Sequence, residues 1–172
     1  LNTPENMEII FRCVDNPFTP GFAFLSKNRP LFDSTYTAEE VSNRIDVIFE
    51  SYVQNHPDLQ LGEVQRLYGT VYPEQGERLA SSYRLTYYMQ RNDMHNFGLA
   101  AIDHYKRYPS DDADELNEIA WLFCANIDDA DMHKQALKWA QQSVLLQESY
   151  YNQFTLASLY VKTGSKKKAR KA

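Results

Sequence analysis

ADELNEIAWLFCANIDDADMHKQALKWAQQSVLLQESYYNQFTLASLYVKTG, residues 113–164, is the stretch on which the fold turns. Leu116, Ile119, Ala120, Phe123, Cys124 and Ile127 recur at helical spacing, which makes one face of a helix apolar and the other polar. A polar turn, Asp128-Asp129-Ala130-Asp131, follows, and Met132, Ala136, Leu137, Ala140 and Val144 then repeat the pattern. After Gln147 and Glu148 a third stripe begins at Tyr150 with Phe154, Leu156, Ala157 and Tyr160, and Gly164 stops it. Apolar stripes joined by a short polar turn predict helices folded back on one another.

The rest of the chain reads the same way. Residues 75–91, with Leu79, Tyr83 and Tyr87, and residues 94–108, with Met94, Phe97, Ala101, Tyr105 and Tyr108, predict a hairpin broken at Asn92-Asp93 and closed by Pro109. Residues 37–55 predict a long helix. Thr37 and Glu40 form a capping box at its start, Val41, Ile45, Ile48, Phe49 and Tyr52 form its stripe, and Pro57 stops it. Residues 4–14 predict a helix capped by Thr3, with Pro4 in the first position and Met7, Ile10, Phe11 and Val14 on one side. Shorter helices are expected over 18–27, closed by Asn28-Arg29-Pro30, and over 59–72, ended by Pro73. With 6 Gly and 7 Pro the chain has little material for a turn-dense β fold. The expected class is all-α.

Small residues give the hairpins a register. Cys124 and Ala136 are 12 apart, as are Ala157 and Ala169, and the two pairs lie 33 apart. Small side chains at those points let two helix axes approach closely. Leu156, Ala157, Tyr160, Gly164 and Ala169 resemble the tetratricopeptide hairpin: large, small, aromatic, turn glycine, then small at the crossing. Phe123, Cys124, Ile127, Asp131 and Ala136 occupy the same places one unit earlier. Asp131 replaces the turn glycine, and Glu148 stands where that family has proline. The resemblance implies antiparallel hairpins stacked as a right-handed array over residues 74–172, with residues 1–73 as an N-terminal helical segment packed on it. The helix begun at Lys166 is an incomplete last repeat, and the opening on Leu1 is expected of a piece of a longer protein.

Most of the chain also resembles the C-terminal helical region of thioredoxin-like envelope proteins of the Bacteroidetes. The residues that carry this are Asn2-Thr3-Pro4-Glu5-Asn6, Glu115-Leu116-Asn117 with Ala120-Trp121, Ala136-Leu137 with Trp139-Ala140, and Tyr151 through Gly164. In that family a thioredoxin domain with a C-x-x-C pair precedes the helical segment. Nothing here matches that domain, so its redox chemistry transfers to no residue present. The resemblance implies a periplasmic or cell-envelope setting and a helical appendage to a thiol-disulfide protein.

The chemistry-bearing residues are dispersed. His56, His95, His104 and His133 have no i, i+4 pairing, and the two cysteines, Cys13 and Cys124, form no C-x-x-C, so no metal or cofactor is expected. His104 with Cys124, or with a nearby acid, is the enzymatic alternative; Cys124 in the small-residue slot reads instead as an inert core thiol. Whether Cys13 and Cys124 pair is left open. Asp111-Asp112 and Asp128-Asp129 precede helices, where negative charge offsets exposed N–H dipoles. The net charge is −5, and Lys166, Lys167, Lys168, Arg170 and Lys171 concentrate cations at the C-terminus, leaving an acidic body unsuited to nucleic acid. Contact with an anionic surface or with a nucleic acid through that tail is a weaker alternative. No stretch reaches the ~20 apolar residues of a membrane span. The leading expectation is a non-catalytic scaffold or protein-interaction module that takes a protein or peptide partner. Trp121, Tyr151 and Phe154 are its candidate binding residues, since the first helix of each such hairpin lines a groove.

Overall fold

The computed structural model describes residues 3–32, 35–56 and 58–170. Pro57, expected to stop the long helix, lies outside these, as do Leu1, Asn2 and Lys171. Among the described residues every regular element is a helix. They are α1 (Pro4–Cys13), α2 (Pro20–Lys27), α3 (Arg29–Phe32), α4 (Ala38–Asn55), α5 (Leu61–Val71), α6 (Gly76–Gln90), α7 (Met94–Arg107), α8 (Ala113–Asn126), α9 (Ala130–Leu146), α10 (Tyr150–Lys162) and α11 (Lys166–Ala169). The protein is all-α. It divides into two compact units, Leu1–Tyr83 and Arg84–Ala172, with the division inside α6.

In the first unit the helix starts follow local capping chemistry. Thr3 accepts the N–H of Asn6 at 3.4 Å with Pro4 next to it, and Thr37 and Glu40 close a reciprocal capping box. The backbone N–H and hydroxyl of Thr37 hold the exposed Glu40 carboxyl below its ordinary pKa. The second helix begins at Pro20, not Phe18, because Thr19 accepts the N–H of Phe22 at 3.3 Å and Pro20 fills the first position. As expected, α2 ends at Lys27 with Asn28 as its C-cap, and Arg29-Pro30 then open the short α3. Phe22, Leu25 and Phe32 then meet Val41, Ile45, Ile48 and Phe49 of α4 and Val64, Leu67 and Val71 of α5 in one apolar core. Phe49 packs edge-on against Tyr68 with ring centroids 4.7 Å apart, a favoured aromatic geometry.

Two arginines tie this unit together. Arg44 on α4 donates from Nε to the Phe11 carbonyl at 2.8 Å, and from Nη2 to those of Val14 at 2.8 Å and Arg12 at 3.1 Å. Carbonyls at a helix C-terminus lack intrahelical partners, and a guanidinium fork supplies several donors at once. Arg29 does the same across α3 and α5, donating to Val71 O at 2.7 Å and to Ser26 O at 3.3 Å.

The second unit is more regular. After α6, Asn92 takes the left-handed conformation (φ 54°), with the Asp93 N–H reaching Tyr88 O and the Asn92 N–H reaching Met89 O, both at 3.0 Å. This is a Schellman turn with asparagine in the place of glycine. Asp93 then caps α7, Asp112 caps α8, Asp129 caps α9, and Ser149 with Asn152 forms a capping box for α10. Phe97, Leu116, Ile119, Phe123, Trp139, Leu156 and Leu159 build the core, and Ala101, Ala120, Ala136 and Ala140 are wholly buried among them. Gly98 lets α7 come close: a Cβ there would lie 2.6 Å from Met132 Sδ.

The two turns that the register sets equal differ. Gly164 has φ 79° and closes a second Schellman turn through Ser165 N–H to Tyr160 O at 2.7 Å. Asp131 does not occupy such a turn. Asp129 starts α9 early by accepting the N–H groups of Asp131 and Met132 at 2.9 Å, so Asp131 lies inside the helix, paired with Lys134.

Candidate interaction surface

The exposed face of α8 and α10 is the negative of their buried stripes. On α8 the residues Leu116, Ile119, Ala120, Phe123 and Cys124 are buried, which leaves Asp114, Glu118, Trp121 and Ala125 in solvent. On α10 the buried set is Asn152, Thr155, Leu156 and Leu159, leaving Tyr150, Tyr151, Phe154 and Val161 outside. Trp121 is 41% exposed, Phe154 52% and Tyr151 74%. The Trp121 and Phe154 rings meet with centroids 5.6 Å apart, and Tyr151 packs edge-on against Tyr150 at 5.7 Å. The structure thus joins Trp121 to Phe154 across two helices and places Tyr151 one turn away on α10.

A buried hydrogen-bond network fixes this arrangement. Ser143 on α9 donates to Ala113 O at the start of α8 at 2.6 Å. Asn152 on α10 donates to Ser143 Oγ at 3.0 Å and to Gln147 O at 2.7 Å. Three helix ends are thereby held by two side chains, each at most 2% exposed. Leaving either donor or acceptor unpaired there is costly, so the network favours one relative placement of α8 and α10.

Charge on the face is one-sided. Alpha-helix α8 carries Asp114, Glu115 and Glu118 and no Lys or Arg, and the only basic residue of α10 is Lys162 in its last turn. Glu115 accepts from the Tyr105 hydroxyl at 2.9 Å and from Ser110. Asp114 and Glu118 enter no ion pair among the described residues. Tyr88, which the sequence reading passed over, stands 33 residues before Trp121, as Trp121 stands 33 before Phe154, and packs half-buried on the same core.

The dispersed titratable residues take structural places. His133 is buried and its Nε2 donates to Ile127 O at 2.7 Å, and His56 Nδ1 donates to Tyr52 O at 2.8 Å beneath a stacked Tyr52 ring. His104 is buried against the rings of Tyr105 and Tyr108. Cys13 and Cys124 are free thiols, the first exposed. Burial pushes the Cys124 thiol above its ordinary pKa, the opposite of what activates a nucleophile. Among the described residues no group of three or more His, Cys, Asp or Glu is placed to hold a metal ion. Lys166, Lys167 and Lys168 are exposed on the short α11, with Lys168 Nζ 5.7 Å from the centre of the Tyr160 ring. Among the described residues no helix is long and apolar enough to cross a membrane.

Comparison of the chain with protein-family models, with curated proteins and with solved structures finds no match.

Proposed function

We propose that the chain is a non-catalytic helical scaffold whose α8–α10 face docks a protein or peptide partner. The observation that carries this reading is the Trp121–Phe154 ring pair, joined across two helices yet about half open to solvent, with Tyr151 beside it. Clustered, rigidly held aromatic rings are the commonest anchors of protein interfaces, because they bury much area and lose little side-chain entropy. The 33-residue register of Trp121 and Phe154, with Tyr88 half-buried one unit earlier, supports a tetratricopeptide-like array. The resemblance to thioredoxin-like envelope proteins makes the natural partner a thiol-disulfide domain of the same full-length chain or a protein of the periplasm.

The test is affinity capture from an envelope extract with the wild-type chain and with a Trp121→Ala, Phe154→Ala double variant. Both side chains are exposed, so the variant is expected to keep its helical circular dichroism and to lose the captured protein. A partner held equally by both proteins would remove this face from the function.

A further inference from the structure

We infer that the α8–α10 face takes a cationic peptide, one in which Lys or Arg side chains alternate with aliphatic ones. This rests on the reading of that face as a partner site, and it names the chemistry of the occupant. The argument is charge complementarity combined with the rings. The exposed strip of α8 runs Asp114, Glu118, Trp121, Ala125, two carboxylates followed by an indole, each about one turn from the next. Beside it α10 offers Tyr150, Tyr151, Phe154 and Val161, an uncharged aromatic and apolar strip until Lys162.

A cation fits this surface in two ways. Its charge is attracted to the ring faces of Trp121 and Phe154, and its aliphatic stem covers their apolar area. Its head can then reach the Glu118 carboxylate, one turn before Trp121, which has no ion-pair partner among the described residues. An acidic segment meets the opposite situation: Asp114 and Glu118 repel it, and α8 has no cation to receive it. The α8 sequence therefore discriminates by sign, while the rings of both helices supply contact area that is indifferent to sign.

Short capped peptides of Leu, Ala and Arg, and counterparts with every Arg changed to Glu or to Gln, are titrated against the whole chain at low and high salt. Binding is read in every variant from the anisotropy of a dye-labelled peptide, and in the wild-type chain Trp121, 41% exposed against 7% for Trp139, reports its own burial by emission. The expected result is binding of the Arg peptide that weakens by about tenfold or more in Trp121→Ala, Phe154→Ala. Glu118→Lys should weaken it about fivefold and salt should weaken it further. If the Glu or Gln peptide binds as well and still needs Trp121 and Phe154, the cationic inference falls while the docking face stands. Arg-peptide binding unchanged in the double variant would trace it to the acidic body at large and overturn the inference. No binding of any peptide, or a concentration-dependent dimer abolished by the double variant, would overturn it too.

Discussion

The two units of this molecule hold helices together by different means. In Leu1–Tyr83 the helices are unequal, from the four residues of α3 to the eighteen of α4. Large rings fill the core, and guanidinium groups from α3 and α4 satisfy carbonyls that lie 30 to 42 residues away in sequence. In Arg84–Ala172 the central hairpin pairs helices of 14 and 17 residues, alanines are buried in their shared core, and the helix starts are closed by caps within three residues. Irregular helices leave their ends facing other elements, which requires long donors. Regular hairpins let each helix cap its own start, and bring short side chains such as Ser143 and Asn152 close enough to join neighbouring ends. The difference teaches where sequence alone is informative: close to the chain, and at a fixed period.

The largest effect that tests this contrast is at Arg44. Arg44→Met keeps an unbranched apolar stem and removes donors to Phe11, Arg12 and Val14. It is expected to cost the first unit about 2–3 kcal/mol, since hydrogen bonds from charged donors are the strong ones and the part-buried carbonyls are left unpaired. Arg44→Lys should recover less than half of that in urea unfolding followed by circular dichroism, because an ammonium cannot span the carbonyls as a planar fork does. Full recovery by Lys would mean that charge alone closes α1, and the contrast between the units would lose its main support.

A smaller effect is expected in the second unit at Ala136, which is wholly buried on α9 in the core shared with α8. Ala136→Leu should cost about 1–3 kcal/mol by forcing the helices apart, against about 1 kcal/mol for Ala136→Gly, which lowers helix propensity without overpacking. Urea midpoints for the pair decide it. If Leu is tolerated better than Gly, the crossing has slack, and the 12-residue spacing from Cys124 carries no packing information.

How much of this was legible follows from distance along the chain. Thr3, Thr37, Asp112 and Asp129 announce helix starts because each meets its N–H partners within three residues. The start of α2 lies two residues after the expected position 18, because the Thr19-Pro20 cap decides it. The 33-residue register made Trp121 and Phe154 equivalent positions before any coordinates. Their exposure was not legible, since it depends on what third element covers them. Arg44 and Arg29 gave no local sign of their tying role, because the carbonyls of Phe11, Arg12, Val14 and Val71 belong to helix ends distant in sequence. The Ser143–Asn152 link was hidden for the same reason: two ordinary polar residues nine apart meet only once α9 and α10 have folded back.

The smallest expected effect separates the units by acid. In the second unit the carboxyls of Asp93, Asp103 and Asp129 all lie below their ordinary pKa. Asp93 is lowered first by the Asn96 side chain, Asp103 by Arg84, and Asp129 by the Met132 N–H. In the first unit the Glu40 carboxyl is lowered by Thr37. A carboxyl lowered in the folded state stabilises fully above its unfolded value, near 3.8 for aspartate, and loses that contribution as pH falls through the folded value. Acid between about pH 5 and about pH 3 should therefore weaken the second unit more than the first. Both tryptophans, Trp121 and Trp139, belong to the second unit, so their emission in urea titrations reads that loss. The combined variant Asp93→Asn, Asp103→Asn, Asp129→Asn should flatten the dependence, because asparagine still caps a helix at 93 and 129 and still offers an acceptor to Arg84 at 103, but titrates at none of them. The groups are largely exposed and salt screens them, so the slope should be modest and should shrink at high ionic strength. An unchanged slope in the combined variant would place the acid response in other groups, and the second unit's short-range caps would no longer distinguish it from the first.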